Sequence, residues 1–191
     1  YESYDGIIRN NVVVSTAGAC FAVSSSFNAR VYNNSCYDTG RWIHGSILLS
    51  NESEVGTRSQ GIEIVNNIIS GSANRPVLRI TSNAMGDYTS LVVSNNLYDI
   101  GGGVPQFYSS EHFNSVGFSE WLTRYTALSG RTDNSRAANP LFATTTGSTP
   151  LSLQPGSPAI TTGRTTTLVT RDFIGTTRPQ GGAMDVGAYE Y

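Results

Sequence analysis

The sequence predicts an all-β protein, a parallel β-helix of about four rungs with three short strands in each. Three observations predict this fold: a recurring asparagine doublet, short apolar runs on both sides of each doublet, and a composition that favours strands and turns. Only 14% of the 191 residues are charged, the basic residues are all Arg, and the net charge is −2. This composition lacks the basic footprint of a nucleic-acid-binding protein, and no apolar run is long enough to span a membrane.

Four Asn doublets organise residues 1–100. They are Asn10-Asn11, Asn33-Asn34, Asn66-Asn67 and Asn95-Asn96, at intervals of 23, 33 and 29 residues. Asn tolerates the left-handed backbone conformation of a tight bend between strands, and stacked Asn side chains can form hydrogen bonds from rung to rung. We therefore expect a structural ladder formed by Asn10, Asn33, Asn66 and Asn95. Repeats of this length without a helix are typical of a solenoid.

The residues before each doublet define the two faces of one strand in each rung. Two and four positions before the doublets the residues are small or apolar, which predicts that the following residues face the interior: Gly6, Ile8, Ala29, Val31, Ile62, Ile64, Leu91 and Val93. The residues three positions before are expected to face outward: Ile7, Arg30, Glu63 and Val92. Arg30 and Glu63 are then neighbours on adjacent rungs, where they are predicted to form an ion pair.

The last strand of each rung is predicted over residues 19–23, 42–49 and 77–81. Alternation places Phe21, Ile47 and Arg79 on its outer face. The same alternation predicts these interior residues: Cys20, Ala22, Ser46, Leu48, Leu78 and Ile80. Two enlarged loops, residues 50–60 and 82–89, follow this strand in the second and third rungs. Since insertions in single repeats often form the binding face, we expect these loops to lie side by side there.

Residues 101–191 end the solenoid and are expected to continue the core of residues 1–100 rather than form a separate domain. Apolar residues recur at helical spacing over residues 119–129, which predicts one short helix that ends before Gly130. We expect this helix to form part of a C-terminal capping segment. The remaining sequence is interpreted as short strands connected by Pro and Gly turns.

The chain has two cysteines, Cys20 and Cys36. Their separation permits a disulfide that closes a short loop, which is typical of a protein from an oxidising compartment. The sequence equally allows two buried thiols that act as small apolar side chains.

The C-terminal part resembles the end of secreted bacterial proteins of the pectate-lyase-like superfamily. The segments that carry the resemblance lie within residues 118–191 and read EWLTRYTALSG, NPLF, LSLQPGSPAI, RDFIGTTRPQGG and DVGAYEY. Where the family usually has Asp at two positions of this pattern, the chain has Asn139 and Thr161. The resemblance implies a right-handed parallel β-helix from the C-terminal part of a secreted or cell-surface protein. The superfamily contains lyases, hydrolases, epimerases and noncatalytic proteins, and no catalytic motif of it is matched, so whether the chain is an enzyme stays open.

Pattern and resemblance together predict a secreted protein that binds or acts on an extracellular, acidic polysaccharide. If the protein is an enzyme, we expect it to resemble a polysaccharide lyase. A lyase needs a base and a cation that neutralises the uronate carboxylate, and Arg79 is best placed to supply the cation. The glycan-binding candidates on this strand and its loops are Arg75, Arg79, Glu52, Glu54, Arg58, Asp87 and Tyr88. Solvated loop charges and ordinary ion pairs are the simpler interpretation of the same residues.

A second class of function stays open: a noncatalytic structural or adhesive unit that stacks head to tail into an extracellular filament through its first rung. The expected partners are therefore a polysaccharide or copies of the chain itself, and not a nucleic acid. The residues predict no cofactor and no metal site, and Ca²⁺ enters only as a cofactor that the resemblance allows.

Overall fold

The computed structural model describes residues 1–52 and 56–191, whose short strands stack in parallel from rung to rung. The first rung contains β1 (Ser3–Tyr4), β2 (Ile7–Arg9), β3 (Val12–Val14) and β4 (Phe21–Ser24). The second contains β5 (Ser26–Phe27), β6 (Arg30–Tyr32), β7 (Ser35–Thr39) and β8 (Ile47–Ser50). The third contains β9 (Glu63–Val65), β10 (Ile68–Gly71) and β11 (Leu78–Ile80).

The fourth rung follows a short 3₁₀ helix (Tyr88–Ser90) and contains β12 (Val92–Ser94), β13 (Leu97–Asp99) and β14 (Gln106–Ser109). The chain then forms β15 (Phe113–Gly117), the helix α1 (Phe118–Ser129) and β16 (Arg136–Ala137). Within residues 1–52 and 56–191, no helix has the length and apolar character needed to cross a bilayer.

Three long sheets run along the stack, and β1 and β5 form a separate two-stranded parallel sheet. The first sheet has the order β2-β6-β9-β12, and the second has the order β3-β7-β10-β13-β16. The third sheet has the order β4-β8-β11-β14, with β15 antiparallel at its end. The result is a mostly β, β-helix-like arrangement with a single α-helix in the described chain, as the Asn repeat predicts.

The predicted faces of the first sheet are confirmed. Val31, Ile64 and Val93 are consecutive partners in register and are fully buried in the core. Arg30 and Glu63 are in register on the opposite face. Arg30 Nε lies 3.8 Å from Glu63 Oε1, which is the predicted ion pair.

The faces of the third sheet were predicted correctly in the third rung. In the first two rungs, the interior positions of Cys20 and Ser46 are confirmed, but the faces within β4 and β8 were predicted wrongly. Leu78 and Ile80 are buried in the core and Arg79 lies between them on the outer face. The residues in register with Leu78 are Ile47 and, through it, Phe21, so these two side chains face the core instead of outward.

The register places Ala22 and Leu48 on the same outer face as Arg79, although both were predicted to face inward. The error has a physical reason, because Phe21-Ala22-Val23 and Ile47-Leu48-Leu49 are apolar at every position and show no alternation. The strand predicted from residue 42 also starts later, at Ile47, and Trp42 is 71% exposed in the preceding loop.

The two residues of each Asn doublet have different roles. The first residues, Asn10, Asn33, Asn66 and Asn95, adopt the left-handed conformation expected at the bend, with φ of 55°, 51°, 59° and 54°. The second residues form the continuous ladder inside the stack. The Nδ2 atoms of Asn11, Asn34 and Asn67 each donate to the Oδ1 atom of the next rung, at 2.9, 2.9 and 3.0 Å.

The ladder predicted for the first residues therefore lies one position later. Among the described first residues, one side-chain bond crosses between rungs, from Asn66 Nδ2 to Asn33 Oδ1 at 3.3 Å. The side chains of the first residues, such as Asn66 and Asn95, instead reach outward to the backbone of residues 162–164, while those of the second residues face the interior. The interior Asn side chains also donate hydrogen bonds to backbone carbonyls. Asn67 Nδ2, for example, donates to Val31 O at 2.8 Å.

Cys20 and Cys36 form a disulfide that joins the first rung to the second. The first rung lies at one end of the described stack, because β2, β3 and β4 are terminal strands of their sheets. Ile8, Val13 and Cys20 pack against the core there but remain partly exposed.

The opposite end of the stack is covered by α1, as predicted. The Trp121 ring stacks on Phe107 of the fourth rung with 4.8 Å between centroids. Tyr125 Oη donates to Leu91 O at 3.0 Å and accepts from the Val93 amide at 2.9 Å. These contacts give backbone groups of the fourth rung their hydrogen-bond partners and cover that end of the core.

After β16 the chain turns back and lies lengthwise along the outside of the rungs, and we call residues 138–191 the tail. It touches the first Asn of every doublet: Asn95, Asn66, Asn33 and Asn10 donate to the backbone carbonyls of Thr162, Arg164, Asp185 and Arg171. Short strands were predicted here, but the described tail pairs with itself through two isolated bridges, Phe142 with Leu153 and Arg171 with Thr177. The tail is therefore held by side-chain amides of the stack and by packing.

Outward apolar residues of two sheets pack under the tail. On the second sheet, Ile68 and Leu97 contact Leu153, Ala159 and Val186. On the first sheet, Tyr32 and Val65 contact Val169. The tail thus covers much of two faces, and the outer face of the third sheet is left as the remaining long surface of the stack.

Candidate functional site

The two enlarged loops lie side by side next to the third sheet, as predicted. Ser59 pairs with Met85, and the Ser59 amide donates to Ala84 O at 2.8 Å. Arg58 donates to Asn83 Oδ1 and lies 3.8 Å from Glu111 Oε1. The Arg58 charge is therefore paired within the protein.

Arg79 lies at the centre of the outer face of the third sheet. It is partnered in register by Leu48 on one side and Tyr108 on the other. Its guanidinium carbon lies 5.1 Å from the centroid of the Tyr108 ring, a cation–π geometry. Among the described residues no carboxylate lies within 4.0 Å of its nitrogen atoms. The Arg79 guanidinium therefore has no carboxylate partner among the described residues, and its Nε atom is buried without a hydrogen-bond partner.

A row of hydroxyl residues runs beside Arg79 on the same face. The row consists of Ser24, Ser50, Thr81 and Ser110, one from each of the four rungs. Ser24 and Ser50 are register partners, and the amides of Thr81 and Ser110 continue the same ladder by donating to Leu49 O and Ile80 O, both at 3.0 Å. The face thus combines one cation, one aromatic ring and several hydroxyl groups.

The other predicted glycan-binding residues are distributed around this face. Arg75 is exposed in the turn before β11, and the Glu52 amide donates to Ser25 Oγ at 2.9 Å. Asp87 caps the 3₁₀ helix by accepting from the Thr89 side chain and amide, which lowers the pKa of the carboxyl. Glu54 lies outside the described residues.

Tyr88 is not the surface residue that was predicted. It is 9% exposed, its hydroxyl shares a 2.9 Å hydrogen bond with Ser109 Oγ, and its ring packs edge-on against His112. Burial raises the pKa of this phenol. The reason is local, because the 3₁₀ helix at Tyr88–Ser90 turns the side chain under the loop and into the core.

Charged residues outside this face are largely satisfied by the protein itself. The Glu63 carboxylate accepts hydrogen bonds from Arg164 Nη2 at 2.8 Å and from Tyr32 Oη at 2.5 Å, and Arg30 lies beside it. Burial alone would raise the pKa of this carboxyl, but these partners together lower it. In the tail, Arg178 Nη1 lies 3.4 Å from Glu190 Oε2 in a fully buried pair. The first cluster joins the tail to the first sheet, the second connects residues within the tail, and both are structural.

The described residues contain no group of three or more His, Cys, Asp or Glu side chains that could hold a metal ion.

Sequence reasoning missed Tyr108 and Glu111, which complete the surroundings of Arg79 and Arg58. Both follow Gly101-Gly102-Gly103, which was interpreted as the end of the solenoid, whereas β14 still belongs to the third sheet. The usable signal was the alternation in Gln106–Ser109, where Phe107 is apolar and its neighbours are polar or amphipathic.

Comparisons of the chain with protein-family models, with curated proteins and with solved structures return no match. None of these comparisons supports the pectate-lyase-like assignment, and the structure itself shows the coarser feature, parallel sheets stacked in a β-helix-like arrangement.

Proposed function

We propose that the protein is secreted and that the outer face of the third sheet binds an acidic extracellular polysaccharide. The observation that carries this proposal is the Arg79 guanidinium, stacked on Tyr108 and without a carboxylate partner among the described residues. The resemblance to secreted β-helix proteins and the Cys20–Cys36 disulfide support an oxidising, extracellular location.

The chemistry of this face suits a uronate polymer. A guanidinium can form two parallel, charge-assisted hydrogen bonds with one carboxylate. Tyr108 offers an aromatic face to the apolar side of a sugar ring, and the hydroxyl row offers donors and acceptors at every rung, about 4.8 Å apart. A polymer lying along the stack would contact these groups in succession.

The face supports binding more strongly than catalysis. A general base works best when its pKa lies near the working pH. The pKa values of two loop residues are displaced away from neutral pH. Hydrogen bonds lower the pKa of the Asp87 carboxyl, and burial raises the pKa of the Tyr88 phenol. We therefore propose a binding surface, and the release of unsaturated product from polygalacturonate is the measurement that would instead identify a lyase.

Calorimetric titration with oligogalacturonate tests the proposal. Replacing the charged donor in Arg79→Gln is expected to weaken binding about tenfold or more, since hydrogen bonds to charged groups contribute about 1.5–3 kcal/mol. Arg124→Gln is the matched control, because Arg124 lies on α1 at the end of the stack and is already paired with Glu120 at 2.7 Å. Binding that is equal in both variants would contradict the assignment of the site.

The filament alternative is less well supported by the two ends of the stack. Trp121 and Tyr125 of α1 cover the last rung, which a second copy would have to contact. Head-to-tail growth needs two open, complementary ends. Electron microscopy of the concentrated protein checks this alternative, and regular filaments would restore it.

A further inference from the structure

A groove lies at the edge of the second sheet, where the tail arches away from the stack. Its floor is formed by Tyr37, Ser70 and Asp99, which are partners in register on three successive rungs. Its opposite wall is the tail between Asn139 and Thr145. The groove encloses about 370 Å³.

A second depression of about 510 Å³ continues this groove. The two share Asp99, Gly101 and Asn139, and the second extends to Pro105, which directly precedes β14 of the fourth rung. From Tyr37 to Asp99 the groove crosses two rung spacings, or about 10 Å. The cavity is therefore elongated along the axis of the stack and of the size that ligand sites have.

Two carboxylates supply hydrogen-bond acceptors in the groove. Asp99 accepts from Ser70 Oγ at 3.0 Å and from the Gly101 amide at 3.1 Å. Asp38 accepts from Ser15 Oγ at 2.8 Å. A carboxylate has about four lone-pair sites, so each retains acceptor capacity for further hydroxyl groups.

The position of Asp38 comes from an irregularity in the second sheet. The register shifts where Ser70 and Gly71 pair with Tyr37 and Thr39, so Asp38 is an extra, bulged residue with φ of 52°. Bulges re-aim side chains and are common beside functional sites. The bulge places a carboxylate at the mouth of the groove next to the Tyr37 ring.

Aromatic rings supply the apolar part of the groove. Tyr37 and Phe142 both line it and pack edge-to-face, with centroids 6.1 Å apart. A sugar has apolar C–H faces and a rim of hydroxyl groups. The aromatic rings of the groove suit the faces, and its carboxylates can accept hydrogen bonds from the hydroxyl groups.

We propose that this groove binds a short stretch of uncharged oligosaccharide. Its two carboxylates accept hydroxyl groups and repel a uronate, and Arg41, which lies 3.6 Å from Asp38, is already paired with that carboxylate. The site is separate from the Arg79 face and takes a ligand of different charge, so it does not depend on the function proposed above.

Titration of the full chain with neutral hexasaccharides (cellohexaose, xylohexaose and mannohexaose) tests this proposal. At least one is expected to bind, with affinity reduced about tenfold by Asp99→Asn, which keeps the shape of the side chain. Thr145→Trp, which adds bulk at the partly exposed rim, is expected to abolish binding even where the fold is unaffected. Arg79→Gln is the control and leaves this binding unchanged.

Three results would overturn the proposal: no neutral hexasaccharide binds, binding is insensitive to both groove variants, or the Asp99-dependent ligand is an oligolysine peptide and not a sugar. Binding of oligogalacturonate tests the Arg79 face and not this groove. Loss of uronate binding in Arg79→Gln with intact neutral-sugar binding separates the two sites, and failure of one leaves the other standing.

Discussion

Outward-facing residues of the same rung differ in their surroundings on the different faces of the stack. In the third rung, Ile68 of the second sheet points outward and is fully buried under the tail, while Arg79 of the third sheet points outward and stays partly exposed. The tail carries its own apolar residues to the first two sheets and leaves the third uncovered. The difference indicates that the uncovered face is available for a ligand, whereas the covered faces complete the core.

Two substitutions in the third rung test whether the covered and the uncovered face contribute differently to stability. Ile68→Ala removes a side chain that is 0% exposed and is expected to cost about 3 kcal/mol of the free energy of unfolding. Arg79→Gln, at an outward position of the uncovered face, is expected to change it by about 0.5 kcal/mol or less. Urea unfolding measures both. Similar costs at the two positions would contradict the distinction between covered and uncovered faces.

A second prediction tests how the tail is anchored. Asn66→Gly keeps the left-handed conformation but removes the bonds between the Asn66 amide group and the backbone of Arg164, both 2.7 Å. The expected cost is about 2 kcal/mol, together with faster proteolytic cleavage in the tail.

Asn83→Gly is the matched control for this variant. Asn83 is also left-handed, with φ of 58°, but lies exposed in an enlarged loop and contacts Arg58 instead of the tail. The control should leave cleavage of the tail unchanged. If both glycine variants release the tail equally, the Asn column is not its anchor.

The smallest effect is expected at alkaline pH, where Tyr32 joins the first sheet to the tail. Burial and the hydrogen bond to Glu63 raise the pKa of Tyr32 to about 12. Because the folded-state pKa lies above the ordinary value of about 10, the contribution to stability is fully present below pH 10. It is lost as the pH rises towards 12.

Unfolding measured between pH 9 and 11.5 checks this dependence. Tyr32→Phe is expected to flatten the fall of stability with pH over this range, and its own stability at neutral pH serves as the reference. An equally steep fall in the variant would show that the Tyr32–Glu63–Arg164 contact does not hold the tail.

The repeat and the first sheet could be predicted from sequence because each carries a strong local signal. The Asn doublets have a conformational cause, and residues such as Ile64 and Glu63 alternate clearly between apolar and charged. The helix that caps the stack was equally visible from the spacing of Trp121 and Tyr125.

The remaining features depend on contacts that sequence patterns do not encode. Ile47-Leu48-Leu49 is apolar throughout, so its orientation is decided by the neighbouring rungs. The course of the tail is decided by Asn side chains that bind backbone carbonyls, and any residue can provide a carbonyl. Tyr108 joins Arg79 only because β14 extends the third sheet by one more rung.

Modification of arginines by phenylglyoxal, with and without saturating oligogalacturonate, tests the central claim most directly. Each peptide that contains Arg can be followed by mass spectrometry in the same sample. We expect the ligand to slow modification of Arg79 several-fold and to leave the modification rates of Arg124 and the exposed Arg136 unchanged. Equal rates at Arg79 with and without the ligand would contradict it.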